Sequence, residues 1–297
     1  MDARPTLLLA SVLALAACGS AEARQARRAR TITVRGSDTM VILAQRWAQA
    51  YMDAHPGIAI QVSGGGSGTG VAALLNGTTD LANASRELRE SEREQLRERR
   101  GTEPLVLRVA IDAVAVYVHE DSPIRALDVP TVRRLFRGRV DGWSALGGPD
   151  APIVLYSREN NSGTYAYFKE AVLDRHDFAA EAQSLPGTAA VIHAVSRDLG
   201  GIGYGGIGYG EGVRAIAIAP APGAEAVLPS PEATVSGAYP LARHLQVVLA
   251  GPPEGPLADY LRWLLSDAGQ AVVEDVGFFP LPGPVRAEEL AKLPEAR

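Results

Sequence analysis

Residues 152–168 read PIVLYSRENNSGTYAYF. The run Pro152–Tyr156 is apolar and β-branched and predicts a strand. Asn160-Asn161-Ser162-Gly163-Thr164 is a short polar loop, and the pattern after it predicts a helix near 164–174. The same design appears twice upstream. A strand at Thr31–Val34 leads through Gly36-Ser37-Asp38-Thr39 into a helix over 40–53, whose apolar positions are Met40, Leu43, Ala44, Trp47, Ala48 and Tyr51. That spacing makes one buried helical face. A strand at Ile58–Val62 leads through Gly64-Gly65-Gly66-Ser67-Gly68-Thr69-Gly70 into a short helix at Val71–Leu75. Strands are also expected at Leu81–Ala84, along Val106–Val109 and Ala113–Val118, and at Leu245–Ala250, with a packing helix at Leu257–Leu265. Strands alternating with helices in this way predict an α/β protein with largely parallel sheets.

The three loops share a physical logic. A helix's first turn leaves N–H groups without intrahelical partners, and the macrodipole puts about half a positive charge there. Ser and Thr hydroxyls at such a place either cap the helix or donate to an anion. Three loops with Arg158 four residues before Ser162 suit a tetrahedral oxyanion, and three independent caps are the alternative. None of the loops is G-x-x-x-x-G-K-[ST], so nucleoside-triphosphate hydrolysis is not indicated.

The chain has 297 residues, 46% hydrophobic and 21% charged, ample for a large core. With 31 glycines and 20 prolines it is rich in turns without being of low complexity. Its net charge of −5 argues against a nucleic-acid partner but not against a local anion pocket. Residues 7–17, LLLASVLALAA, are too short to span a bilayer and have the length of a signal-peptide core. The run ends Leu15-Ala16-Ala17-Cys18, which resembles the lipobox of bacterial lipoproteins; an ordinary signal peptide with an incidental cysteine is the alternative. That Cys18 is the chain's sole cysteine favours lipidation and rules out an intrachain disulfide. Residues 19–30 read as a tether. The mixed charges of 86–103 read as a solvated helix with Glu90/Arg93 and Glu94/Arg97 pairs. GIGYG, written twice over 201–210, holds two overlapping G-x-G-x-x-G matches without the flanking strand and helix of a dinucleotide site, and reads as a glycine-rich strand and turn.

Several segments together resemble the phosphate-binding proteins of bacterial ABC transporters. They are GSDTM (36–40), GSGTG (66–70), DLANASR (80–86), DAVAVYVHEDSP (112–123), LFRGRVDGWSALGG (135–148), YSRENNSGTYAYF (156–168), GGIGYG (201–206) and VGFFPLP (276–282). The resemblance implies a two-lobed periplasmic-binding-protein fold of type II, with the ligand between lobes joined by two extended crossings, near 108–116 and 242–249. After the signal peptide expected over 1–18, it implies lobe I from 31–112 and 244–297, and lobe II from 113–243. Carried over by motif, phosphate contacts fall to Ser37, Asp38, Thr39, Met40, Ser67, Gly68, Ser85, Arg86, Arg158, Ser162, Gly163 and Thr164. Where this chain has Arg86, some members of the family carry a carboxylate that accepts a hydrogen bond from protonated phosphate. Sulfate exclusion then falls to another group, such as Asp38, or is weaker. The expected function is extracytoplasmic phosphate binding for an ABC-type import permease, by a lipid-anchored monomer with no cofactor. A stand-alone sensor, or a binder of sulfate, molybdate or phosphonate, is the alternative. The five histidines show no metal-ligand spacing and no G-x-S-x-G elbow is present, so a phosphatase is not indicated.

Overall fold

The computed structural model describes residues 31–295; the expected signal peptide, Cys18 and the tether lie outside the described residues. In chain order the strands are β1 (Thr31–Gly36), β2 (Ala59–Ser63), β3 (Leu81–Ala84), β4 (Leu105–His119), β5 (Ala126–Asp128), β6 (Val154–Arg158), β7 (Gln183–Leu185), β8 (Gly201–Gly206), β9 (Val213–Ala215), β10 (Ala217–Ala219) and β11 (Ala242–Leu249). The helices are α1 (Val41–Ala54), α2 (Ser67–Leu75), α3 (Glu90–Arg100), α4 (Val129–Phe136), α5 (Gly163–Ala171), α6 (Gly187–Ser196), α7 (Pro231–Val235), α8 (Gly255–Leu264), α9 (Asp267–Asp275) and α10 (Gly283–Ala291).

Sheet order is β2-β1-β3-β11-β4-β8-β6-β7, with β9 beside β4 and a separate β5–β10 pair. β1 runs parallel to β2 and β3, and β6 runs parallel to β7 and β8. Between these two parallel groups stand two antiparallel strands, β4 and β11, in register Asp112↔Arg243. β4 serves both groups. Residues up to Ala113 pair with β11, and from Val114 onward its partner is β8. Its side chains from Ala113 to Val118 are fully buried, which explains the unbroken apolar run there.

The predicted stripe of α1 is buried from Met40 to Tyr51, and Trp47 Nε1 donates to the Gly269 carbonyl at 2.7 Å, tying α1 to α9. The VGFFPLP segment returns to β4: Ile111 and Phe279 exchange backbone hydrogen bonds of 2.8 and 3.0 Å. Buried Gln270 uses its whole amide in this junction. Nε2 donates to the Val109 and Leu264 carbonyls, and Oε1 accepts from Leu281 N. The glycine–tryptophan segment is also structural, since Trp143 Nε1 donates to Gly200 O at 2.9 Å, just before β8.

Four local expectations are corrected. α2 begins at Ser67 and not at Val71, so the glycines at 68 and 70 are helical. Glycine is required at 70 because α2 packs onto β1 there: a Cβ would lie 2.6 Å from Arg35 O. β6 starts at Val154 and runs on through Arg158. β11 starts at Ala242, three residues early, and so includes Arg243. In α3, Arg97 turns to Glu103 (3.1 Å) rather than to Glu94. The glycine repeat forms β8 and a short turn over 207–209, as expected.

Candidate functional site

All three loops reach the same place. β1 ends at Gly36, and a 3-10 turn (Asp38–Met40) carries the chain into α1. Ser37 Oγ does not cap that turn; it donates to Ser85 Oγ at 2.8 Å. At α2 the N-cap is Gly66, which has no hydroxyl to offer, and Ser67 Oγ instead accepts from Ser85 N at 3.1 Å. Only Ser162 behaves as a cap, accepting from Tyr165 N at 3.3 Å. Three independent caps would each use a hydroxyl on their own helix. Two of the three turn inward, so capping does not account for them.

Ser37, Thr39, Ser67, Ser85, Ser162 and Thr164 are each at most 2% exposed. Such a polar cluster is costly to bury unless its members are satisfied. Here they bond across the junction between the two parallel groups: Thr39 Oγ1 lies 2.8 Å from Thr164 Oγ1. The loops also clasp through backbone, with Gly68 N donating to Asn161 O and Asn161 Nδ2 to Gly65 O, both at 3.0 Å. Gly66 permits this approach. Its φ is +88°, and a Cβ would sit 2.7 Å from Asn161 O. At Gly163 a Cβ would run into the hydroxyls of Ser67 and Ser85.

Arg158, at the end of β6, is 2% exposed. Its Nη2 donates to Asp38 Oδ2 and its Nη1 to Thr188 Oγ1, both at 2.8 Å, while Nε is buried with no hydrogen-bond partner among the described residues. Burial pushes this guanidinium below its ordinary pKa, and Asp38 opposes that shift. Asp38 Oδ1 also accepts from Gly65 N at 2.7 Å, so this carboxylate holds both the glycine loop and Arg158. Asp38 therefore serves as the counterion of Arg158.

Three predicted contacts are engaged elsewhere. Arg86 faces away from the cluster: Nη1 and Nη2 grip Glu92 at 2.8 and 2.6 Å, and Nη1 also donates to Glu87 O. Burial pushes the Glu92 carboxyl up, but hydrogen bonds from Arg86 and the Arg89 amide outweigh it and leave the pKa lowered. The Met40 amide donates to Ser37 O within the 3-10 turn, and the Met40 side chain is in the core. The Gly68 amide is spent on Asn161.

Two residues not singled out from sequence join the cluster. Asp112 is fully buried, accepting from Ile207 N and from Arg243. Burial pushes its carboxyl pKa up, opposed by Arg243. Arg243 is 7% exposed and touches Asp112, Ser85 O and Thr164 Oγ1. A signal for it existed. Arg243 stands two and four residues before Leu245 and Val247, on the strand face that those residues bury. Among the described residues no His/Cys/Asp/Glu group is arranged to hold a metal, and no helix is long and apolar enough to cross a membrane.

The PBP superfamily domain matches residues 21–268. Phosphate-binding protein PstS of Pseudomonas aeruginosa is 36% identical over 275 residues, covering 87% of this chain and 85% of its own. Protein SphX of Synechococcus elongatus is 30% identical, covering 94% and 87%. Among solved structures, a phosphate ABC transporter substrate-binding protein from Clostridium perfringens with bound phosphate superposes with a TM-score of 0.76 at 24% identity, over 85% of this chain and all of that one. A phosphate-binding protein from Planctomyces limnophilus gives 0.64 at 26% identity, over 88% and 96%. With β4 and β11 as crossings between two parallel groups, and loops from both meeting at one buried polar cluster, this chain belongs to the PBP superfamily and, within it, to the family of PstS phosphate-binding proteins.

Proposed function

We propose that this chain binds one inorganic phosphate between its lobes, 31–112 with 244–297 and 113–243, and delivers it to an ABC-type import permease. The observation that carries this reading is the hydroxyl cluster across the lobe junction, beside a buried guanidinium with an unused Nε–H. Hydroxyls, guanidinium N–H groups and helix N-termini are all donors suited to a tetrahedral oxyanion. The relatives named for phosphate binding support the choice of ligand. What these groups supply is hydrogen-bond donation and charge balance for an oxyanion. The contacts are Ser37, Thr39, Ser67, Ser85, Arg158, Ser162, Gly163 and Thr164, with Asp38 fixing Arg158. Calorimetric titration with phosphate, sulfate and arsenate tests this. Phosphate should bind one to one, and at 100 times its dissociation constant should add about 2.7 kcal/mol of stability. An unchanged melting temperature at saturating phosphate would refute it.

The protein acts from the outer face of a membrane, held by lipid on Cys18, as a monomer. Two acyl chains hold firmly where one does not. Cys18→Ser should therefore release the protein to the soluble fraction or leave an unprocessed precursor. Wild-type partitioning and processing in that variant would sink the anchor.

A further inference from the structure

Arg243 projects from a crossing strand into the middle of the candidate site. Asp112, its cross-strand partner, sets the guanidinium in place: Oδ2 accepts from Nε at 3.0 Å and from Nη2 at 2.8 Å. Nη1 donates to Ser85 O at 2.7 Å. Nη2 has a second N–H, directed at Thr164 Oγ1 (2.9 Å) and, more distantly, Thr39 Oγ1 (3.5 Å). Those hydroxyls come from opposite sides of the junction. The Tyr167 ring lies 5.2 Å from Cζ.

A strand pin would need only Asp112 and the Ser85 carbonyl. The third contact, onto hydroxyls of both lobes, goes beyond that need. Arg86, meanwhile, is drawn off by Glu92. Resting on the phosphate reading above, the geometry points to Arg243 as the second guanidinium of the site: it donates through Nη2 to the bound oxyanion and selects the more highly charged form. When an oxyanion enters among Thr39, Ser67 and Thr164, those hydroxyls turn from one another to donate to it. The N–H of Nη2 that faced them then faces an anion oxygen. Asp38 and Asp112 each balance one arginine, so both cations are held in a buried site before the anion arrives.

The test titrates wild type, Arg243→Met and Arg243→Gln with phosphate on either side of its second ionisation, with the melting temperature of each protein measured without ligand. Gln keeps a neutral donor of related shape in case Met does not fold. Folded neutral variants should bind the dianion at least about thirtyfold more weakly, and the monoanion should lose less. A folded variant with wild-type affinity overturns the inference. So does an equal loss for both ionisation states, which is the mark of a structural pin. If wild type itself fails to bind phosphate, the proposed function falls, and the variants are not its cause.

Discussion

Two arginines stand in matching places and meet different fates. Ser85-Arg86 follows β3, and Ser157-Arg158 closes β6. Each stands beside a hydroxyl near the cluster, and from sequence each is a ligand. Arg158 crosses the junction to Asp38, 120 residues away. Arg86 closes on Glu92, six residues on, in the first turn of α3. An acid near in sequence is reached at little chain-ordering cost, and it takes the cation first. The segment after Arg158, Glu159-Asn160-Asn161, turns away into the clasp with the glycine loop, and Arg158 is left for a distant partner. An arginine's motif therefore predicts its task only after the acids close to it in sequence have been accounted for.

That contrast is sharpest in affinity. Arg158→Ala should weaken phosphate binding by at least about thirtyfold, since losing a buried hydrogen-bonded charge costs roughly 2–5 kcal/mol. Thr164→Ala, removing a neutral hydrogen bond of roughly 0.5–1.5 kcal/mol, should cost about tenfold or less. Equal losses in the two variants, by calorimetry, would erase the distinction between cation and hydroxyl.

Arg86 should show the opposite profile. Arg86→Ala should leave phosphate affinity within about twofold while lowering unfolding free energy by about 1.5–3 kcal/mol, the range for hydrogen bonds to charged groups. Its partner supplies a pH signature. The Glu92 pKa is lowered in the folded protein, so its contribution is present above the unfolded carboxylate value of about 4.3 and is lost as pH falls through the folded value. The melting-temperature gap between wild type and Glu92→Gln should thus be widest at neutral pH and shrink in acid. A gap that widens in acid, or an Arg86→Ala protein with much weaker phosphate binding, would return Arg86 to the site.

The sequence was most legible where periodicity governs. α1, β3 and the long run of β4 follow their apolar patterns because burial selects those residues directly. It was least legible where long-range packing overrides local preference. Gly68 and Gly70 are poor helix formers, yet they lie in α2, and the closeness of Asn161 and β1 leaves little room there for a larger side chain. Arg243 lies inside the expected crossing over 242–249, but nothing local marks it as part of the cluster. Its partner Asp112 lies 131 residues back. The helix α4 carries local start signals in its sequence: Asp128 Oδ1 accepts from Thr131 N at 2.7 Å, and Pro130 stands in the first turn. Hydroxyl-bearing loops marked the residues that meet in the buried cluster. Which cation meets which anion depended on the fold.

The strand order has a bearing on how the chain acquires its shape. β3 carries Ser85 at its end but has β11 for a neighbour, and Arg243 Nη1 reaches Ser85 O across 158 residues of sequence. Until β11 is placed, β3 lacks a neighbour on that side and the first two polar loops lack Arg243. β6, β7 and β8 pair with one another and with β4, and do not depend on β11. The buried cluster is therefore complete only when segments 158 residues apart have come together, whatever the state of the strands between them.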